Sequence, residues 1–71
     1  MKLHYDPETD SLYIDLVDRP SSDSVEIGEG LVVDYDEQGS IVGLDIQHAS
    51  QQLDLATLET EALPLKVAKP A

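Results

Sequence analysis

Apolar and polar residues alternate along most of the first fifty positions. Met1, Leu3 and Tyr5 fall on one side of an extended backbone, and Leu12, Ile14 and Leu16 alternate with Tyr13, Asp15 and Val17. Period two is the spacing of a strand. Between the two runs lies Asp6-Pro7-Glu8-Thr9-Asp10, where proline fixes φ and aspartate bonds its own backbone, so the unit reads as a hairpin. Asp18 to Ser24 reads as a loop. Val25 and Ile27 around Glu26 make a short third strand, and Gly28-Glu29-Gly30 a turn. Leu31 to Tyr35 is rich in strand formers. Asp36 to Ser40 forms a further turn in which Gly39 takes a positive φ. In the fifth strand, Ile41 to Gln47, the residues Val42, Leu44 and Ile46 oppose Gly43 and Asp45.

After His48 the period changes. Asp54 is placed to cap a helix carrying Leu55, Leu58 and Ala62 on one face, and Pro64 ends it. Ser50 is placed to cap a shorter turn before it. The expected fold class is α+β, mostly β: a four- or five-stranded antiparallel meander with one short C-terminal helix packed on one face. That helix would cover Leu12, Ile14, Leu16, Val33, Leu44 and Ile46. Residues 1–65 are expected to form a single small β-rich domain, and 66–71 a short disordered tail.

The two hairpins share wording. Tyr5-Asp6-Pro7-Glu8-Thr9-Asp10-Ser11-Leu12 parallels Tyr35-Asp36-Glu37-Gln38-Gly39-Ser40-Ile41 with one gap, through duplication or through the common demands of turns. Three stretches together carry a more specific resemblance. They are Tyr5-Asp6-Pro7-Glu8-Thr9-Asp10-Ser11-Leu12-Tyr13-Ile14, Gly30-Leu31-Val32-Val33-Asp34-Tyr35-Asp36, and Val42-Gly43-Leu44-Asp45-Ile46 with Ala49-Ser50. In this order and spacing the chain resembles the bacterial domain of unknown function 2283 family over its first fifty residues. His48 departs from the pattern, which has a small or acidic residue there. The resemblance implies a small antiparallel sheet followed by a helical segment, in a family without an assigned activity. Toxin-like genes beside some members imply an antitoxin-like partner role.

Charge narrows the partners. The chain has 71 residues, with fifteen acids against four bases, a formal charge of −11. From Asp6 to Glu61 the only base is Arg19. Nucleic acid and anionic membrane are disfavoured, because both are bound through Lys and Arg. A basic protein partner is permitted, and solubility alone also accounts for such charge. No run reaches the ~20 apolar residues of a membrane span. The opening residues lack a signal-peptide core, and the absence of cysteine fits a reducing cytoplasm. A chain this short buries only ~60% of its unfolded surface. Without disulfides or thiolate metal sites, self-association into a two-fold homodimer is the expected support.

Candidate chemistry is sparse. Asp34 to Asp45 spaces oxygen ligands as a calcium loop does, with Gly39 at the sixth position. Its last ligand is Asp45 rather than a glutamate, and its flanks alternate as strands rather than helices. Asp34, Asp36 and Asp45 are therefore candidate metal ligands against a plain acidic turn. Strand parity places Tyr13, Asp15, Val17, Val32, Asp34, Ile41 and Asp45 on one outer face, an apolar surface bearing acids that suits a protein partner. His4 and His48 lack metal-ligand spacing. Ser21, Ser22 and Ser24 carry no nucleophile motif, and Gly28-Glu29-Gly30 is not a phosphate loop. The sequence thus predicts a non-catalytic interaction or accessory module with no cofactor. The alternatives are a calcium-type acidic hairpin and a purely structural homo-oligomer.

Overall fold

The computed structural model describes residues 1–65; the expected tail, 66–71, lies outside the described residues. Five strands form one open antiparallel sheet: β1 (Lys2–Asp6), β2 (Ser11–Asp15), β3 (Asp23–Gly28), β4 (Leu31–Tyr35) and β5 (Ile41–Ile46). One short helix, α1 (Ala49–Gln52), follows them. The protein is mostly β, as the alternation requires.

The strand order is β1-β2-β5-β4-β3, and this departs from a simple meander. The hairpin β1–β2 and the meander β3–β4–β5 are each local, but β2 joins β5 rather than β3. The loop between β2 and β3 makes this possible by running across the lower end of the sheet. Leu16 N–H donates to the Val42 carbonyl at 2.9 Å, and Ser22 N–H donates to the Tyr35 carbonyl at 2.8 Å. The chain therefore enters β3 at the far edge. Alternation cannot reveal this step, because either neighbour presents the same apolar face.

Register fixes the faces. Leu3 opposes Ile14 and Tyr5 opposes Leu12. Leu12 and Ile14 oppose Ile46 and Leu44, which oppose Leu31 and Val33. The expected apolar set thus shares one face. Leu12, Val33 and Val42 are its buried side chains, the last two at 2% exposure. Ile14, Leu16, Leu44 and Ile46 are half-buried.

The helix is not where the apolar spacing puts it. Leu53 is extended, with φ −129° and ψ 151°, and residues 53–65 contain no helix. Asp54 still accepts the Ala56 N–H at 3.1 Å, but the turn stops there. Glu59 and Glu61 have no basic residue on the segment to offset them, and Ala62 adopts φ 57°, outside the helical region. Leu55 and Leu58 are exposed instead of covering the core. The stretch runs alongside β1 and β2, where Leu55 and Leu58 share a groove with Leu3 and Ile14.

Helix α1 closes the upper end of the sheet rather than a face. Ala49 N–H donates to the Asp10 carbonyl, and Gln47 N–H to that of Gly30, both at 2.8 Å. Ala49 is fully buried. His48, at φ 51°, turns the chain from β5 into the helix. Among the described residues no helix is long and apolar enough to cross a membrane.

Candidate functional site

The outer face is assembled by register. Tyr13 opposes Asp45 and Asp15 opposes Gly43 across β2–β5. Val32 opposes Asp45 and Asp34 opposes Gly43 across β4–β5. Side chains alternate along each strand, so Tyr13, Asp15, Val32, Asp34 and Asp45 lie together, all half-buried. Val17 stands beyond the end of β2 and lines a small cleft with Lys2 and Asp15. Ile41 opposes Tyr35 across an irregularity in the β4–β5 ladder and is about half exposed.

Tyr13 spans this face. Its hydroxyl donates to Asp34 Oδ2 at 2.7 Å, which means the side chain reaches from β2 over β5 to β4. Gly43 permits the crossing. A Cβ there would meet the Tyr13 hydroxyl and would lie 2.7 Å from Cζ. Asp34 accepts a second bond, from Ser24 Oγ on β3, at 2.6 Å. One polar chain thus links β2, β4 and β3, passing over β5. The hydrogen bond from the phenol to Asp34, then burial and the nearby charges of Asp34, Asp15 and Asp45, push the Tyr13 pKa up to about 12. The phenol stays a donor and locks the carboxylate in place.

Sequence parity missed three members. Register places Lys2 opposite Asp15 and His4 opposite Tyr13, so the β1 border of the acidic face is basic. Ser24 enters from β3. A glycine inside a strand marks a close approach, and that was the available signal for the role of Gly43.

The three candidate metal ligands are not brought together. Asp34 is occupied with Tyr13 and Ser24. Asp36 is buried at 7% exposure and folds into its own turn, accepting the Gln38 and Ser40 N–H groups at 2.9 Å each. Its other oxygen lies 3.6 Å from Arg19 Nε. Asp45 sits on the outer face, and β5 continues straight through the positions that would have to wrap an ion. Among the described residues no group of three His, Cys, Asp or Glu is placed to hold a metal ion.

A second polar hub lies at the upper end. Asp10, at φ 55°, accepts the Tyr5 hydroxyl at 2.7 Å, the Ser50 N–H at 3.0 Å and the Ser50 hydroxyl at 2.7 Å. The Ser50 hydroxyl, then that of Tyr5, holds the Asp10 carboxyl below its ordinary range, and the same bond raises the Tyr5 phenol. This hub ties α1 to the first hairpin.

No curated protein and no solved structure matches the chain. One family model matches residues 2–50, the stretch from the first strand to the start of α1. With most of its length, and the whole sheet, inside that match, the chain belongs to the family described as Protein of unknown function (DUF2283).

Proposed function

We propose that the protein is a non-catalytic interaction module whose outer face docks a basic protein, in the manner of an antitoxin holding its partner. The observation that carries this reading is the Tyr13–Asp34–Ser24 chain with Asp15 and Asp45 beside it. An aromatic side chain is fixed across the sheet, and carboxylates flank it. Rigid aromatics surrounded by oriented charge are what protein interfaces use as anchors. Asp15 and Asp45 make no side-chain bond among the described residues, so they are free to meet cations. The acidic balance of the chain steers a basic partner towards it.

The test is capture from the native host with the wild-type protein and with the charge-reversed pair Asp15→Lys and Asp45→Lys. A basic protein retained by the wild type and lost by the pair, with affinity falling as salt rises, is the expected result. Capture that is indifferent to both substitutions would refute the reading.

A further inference from the structure

The sheet ends in two open edges, β1 and β3. A strand alternates its backbone groups between its two sides, so the pairing of one strand orients the next. Leu16 N–H donates to the Val42 carbonyl. By alternation, the backbone groups of Leu12 and Ile14 turn towards β5, and those of Ser11, Tyr13 and Asp15 towards β1. Their partners on β1 are Asp6, His4 and Lys2. The N–H and C=O groups of Leu3 and Tyr5 therefore point out of the edge, and no described residue bonds to them. An open row of this kind is a template for another strand.

We propose that β1 pairs antiparallel with β1 of a second copy of the chain, about a two-fold axis at His4. In that register Lys2 of each copy faces Asp6 of the other, and Leu3 faces Tyr5. The outward backbone groups match as well. Each Leu3–Tyr5 pair exchanges both of its N–H···O=C bonds, and the His4 pair on the axis needs none. Sliding the register either way spoils the match. One slide sets Lys2 against His4, and the other carries Leu3 onto Pro7, which has no N–H to give.

Charge selects the occupant. Among the described residues Lys2 is the one lysine or arginine on a strand, and β1 is the one strand that carries both signs. Read in reverse, β1 complements itself, which is what a two-fold contact needs. The other edge does not: β3 carries Asp23 and Glu26 and no base, and its ladder is irregular between Glu26 and Gly28. The remaining acids keep their distance. With strands ~4.8 Å apart, Asp15 of one copy lies at least about 14 Å from Asp15 of the other, beyond the Debye length of ~8 Å. The result is one continuous sheet with both Tyr13–Asp34 faces on the same side. The contact leaves the face assigned above open, and neither assignment depends on the other.

Sedimentation velocity across a concentration series, with amide hydrogen exchange, tests the contact. The wild type is expected to dimerise at high micromolar concentration, as suits an interface of one strand pair. The Leu3 and Tyr5 amides are expected to gain protection as it does, while those on the open side of β3 gain none. Lys2→Glu and Asp6→Lys each set like charges opposite one another twice, and each is expected to weaken the dimer about tenfold or more. Combined, they restore opposite pairs and the dimer. Asp6→Lys lowers the net negative charge, so repulsion between whole copies predicts the reverse of this loss. Arg19→Glu and Glu26→Lys shift the net charge equally at other places and leave the dimer standing. Asp6 also accepts the Glu8 N–H in its turn, so circular dichroism accompanies its variant. If Asp6→Lys unfolds, Lys2→Glu against Arg19→Glu decides the matter. A wild type that stays monomeric to millimolar concentration overturns the proposal. So does a dimer whose Leu3 and Tyr5 amides stay open, or one that Lys2→Glu weakens no more than Arg19→Glu does.

Discussion

The ring of Tyr13 rests on the backbone of Gly43, in the space that any other residue would fill with its Cβ. The contact turns a glycine inside the central strand β5 into a requirement. Gly43→Ala forces Tyr13 aside and breaks its bond to Asp34. The expected cost is about 1–3 kcal/mol, read by chemical denaturation. In a Tyr13→Ala background the same substitution is expected to cost little, because nothing is left to collide with. Equal costs in both backgrounds would show that Gly43 is chosen for some other reason.

Alkaline pH probes the same pair. The Tyr13 phenol is raised from 10.0 to about 12 in the folded chain, so between these values the unfolded chain releases its proton first. A raised pKa contributes stability that is complete below pH 10 and is lost as pH rises towards 12. The predicted signature is a late phenolate transition in ultraviolet absorbance, missing in Tyr13→Phe. A Tyr13 transition at the ordinary value would contradict the bond to Asp34.

Acid probes the hub at the other end. The Asp10 carboxyl is lowered from 3.8 on folding, so its contribution is present above that value and fades as pH falls through the lower folded one. Asp10→Asn keeps a residue tolerant of positive φ while removing the charge. The variant is expected to melt lower than wild type at neutral pH, with the gap narrowing in acid. A constant gap would place the effect in the backbone instead.

Asp36 is predicted to act as a turn-former and not as a ligand. Its replacement by alanine strands the Gln38 and Ser40 N–H groups, a loss of about 1–3 kcal/mol. The ion pair with the exposed Arg19 adds little to that. Calorimetry with calcium, magnesium, manganese and zinc is expected to show no micromolar binding. Binding that vanished in Asp36→Ala would restore the metal-hairpin alternative.

What could be read in the sequence follows from what is local. Each strand and all three hairpin turns could be read, because period two and the turn residues act within a few positions; Gly39 at φ 83° is an instance. The shared face of Asp15, Asp34 and Asp45 could be read for the same reason, since parity survives whichever strands pair. The pairing of β2 with β5 could not, because it joins residues as distant as Leu12 and Ile46. The helix carrying Leu55, Leu58 and Ala62 was misplaced, because three apolar residues at helical spacing do not outweigh an acidic stretch with no cationic neighbours. The hub at Asp10 binds Ser50 forty positions away, beyond the reach of any local pattern.

The pairing of β2 with β5 also sets a timetable for the chain during synthesis. The first hairpin leaves the ribosome with one side of β2 unpaired, and that side waits until residue 46 has been made. The meander of β3, β4 and β5 forms from neighbours, so the late, slow event is its docking onto the waiting hairpin, the strand pairing that joins the most distant stretches of sequence. In that interval Leu12 and Ile14 stand at an open strand border, the kind of surface that aggregates. The acids that surround them in the sequence, Asp6, Asp10, Asp15 and Asp18, then serve the nascent chain as much as the finished one, holding growing copies apart until β5 arrives.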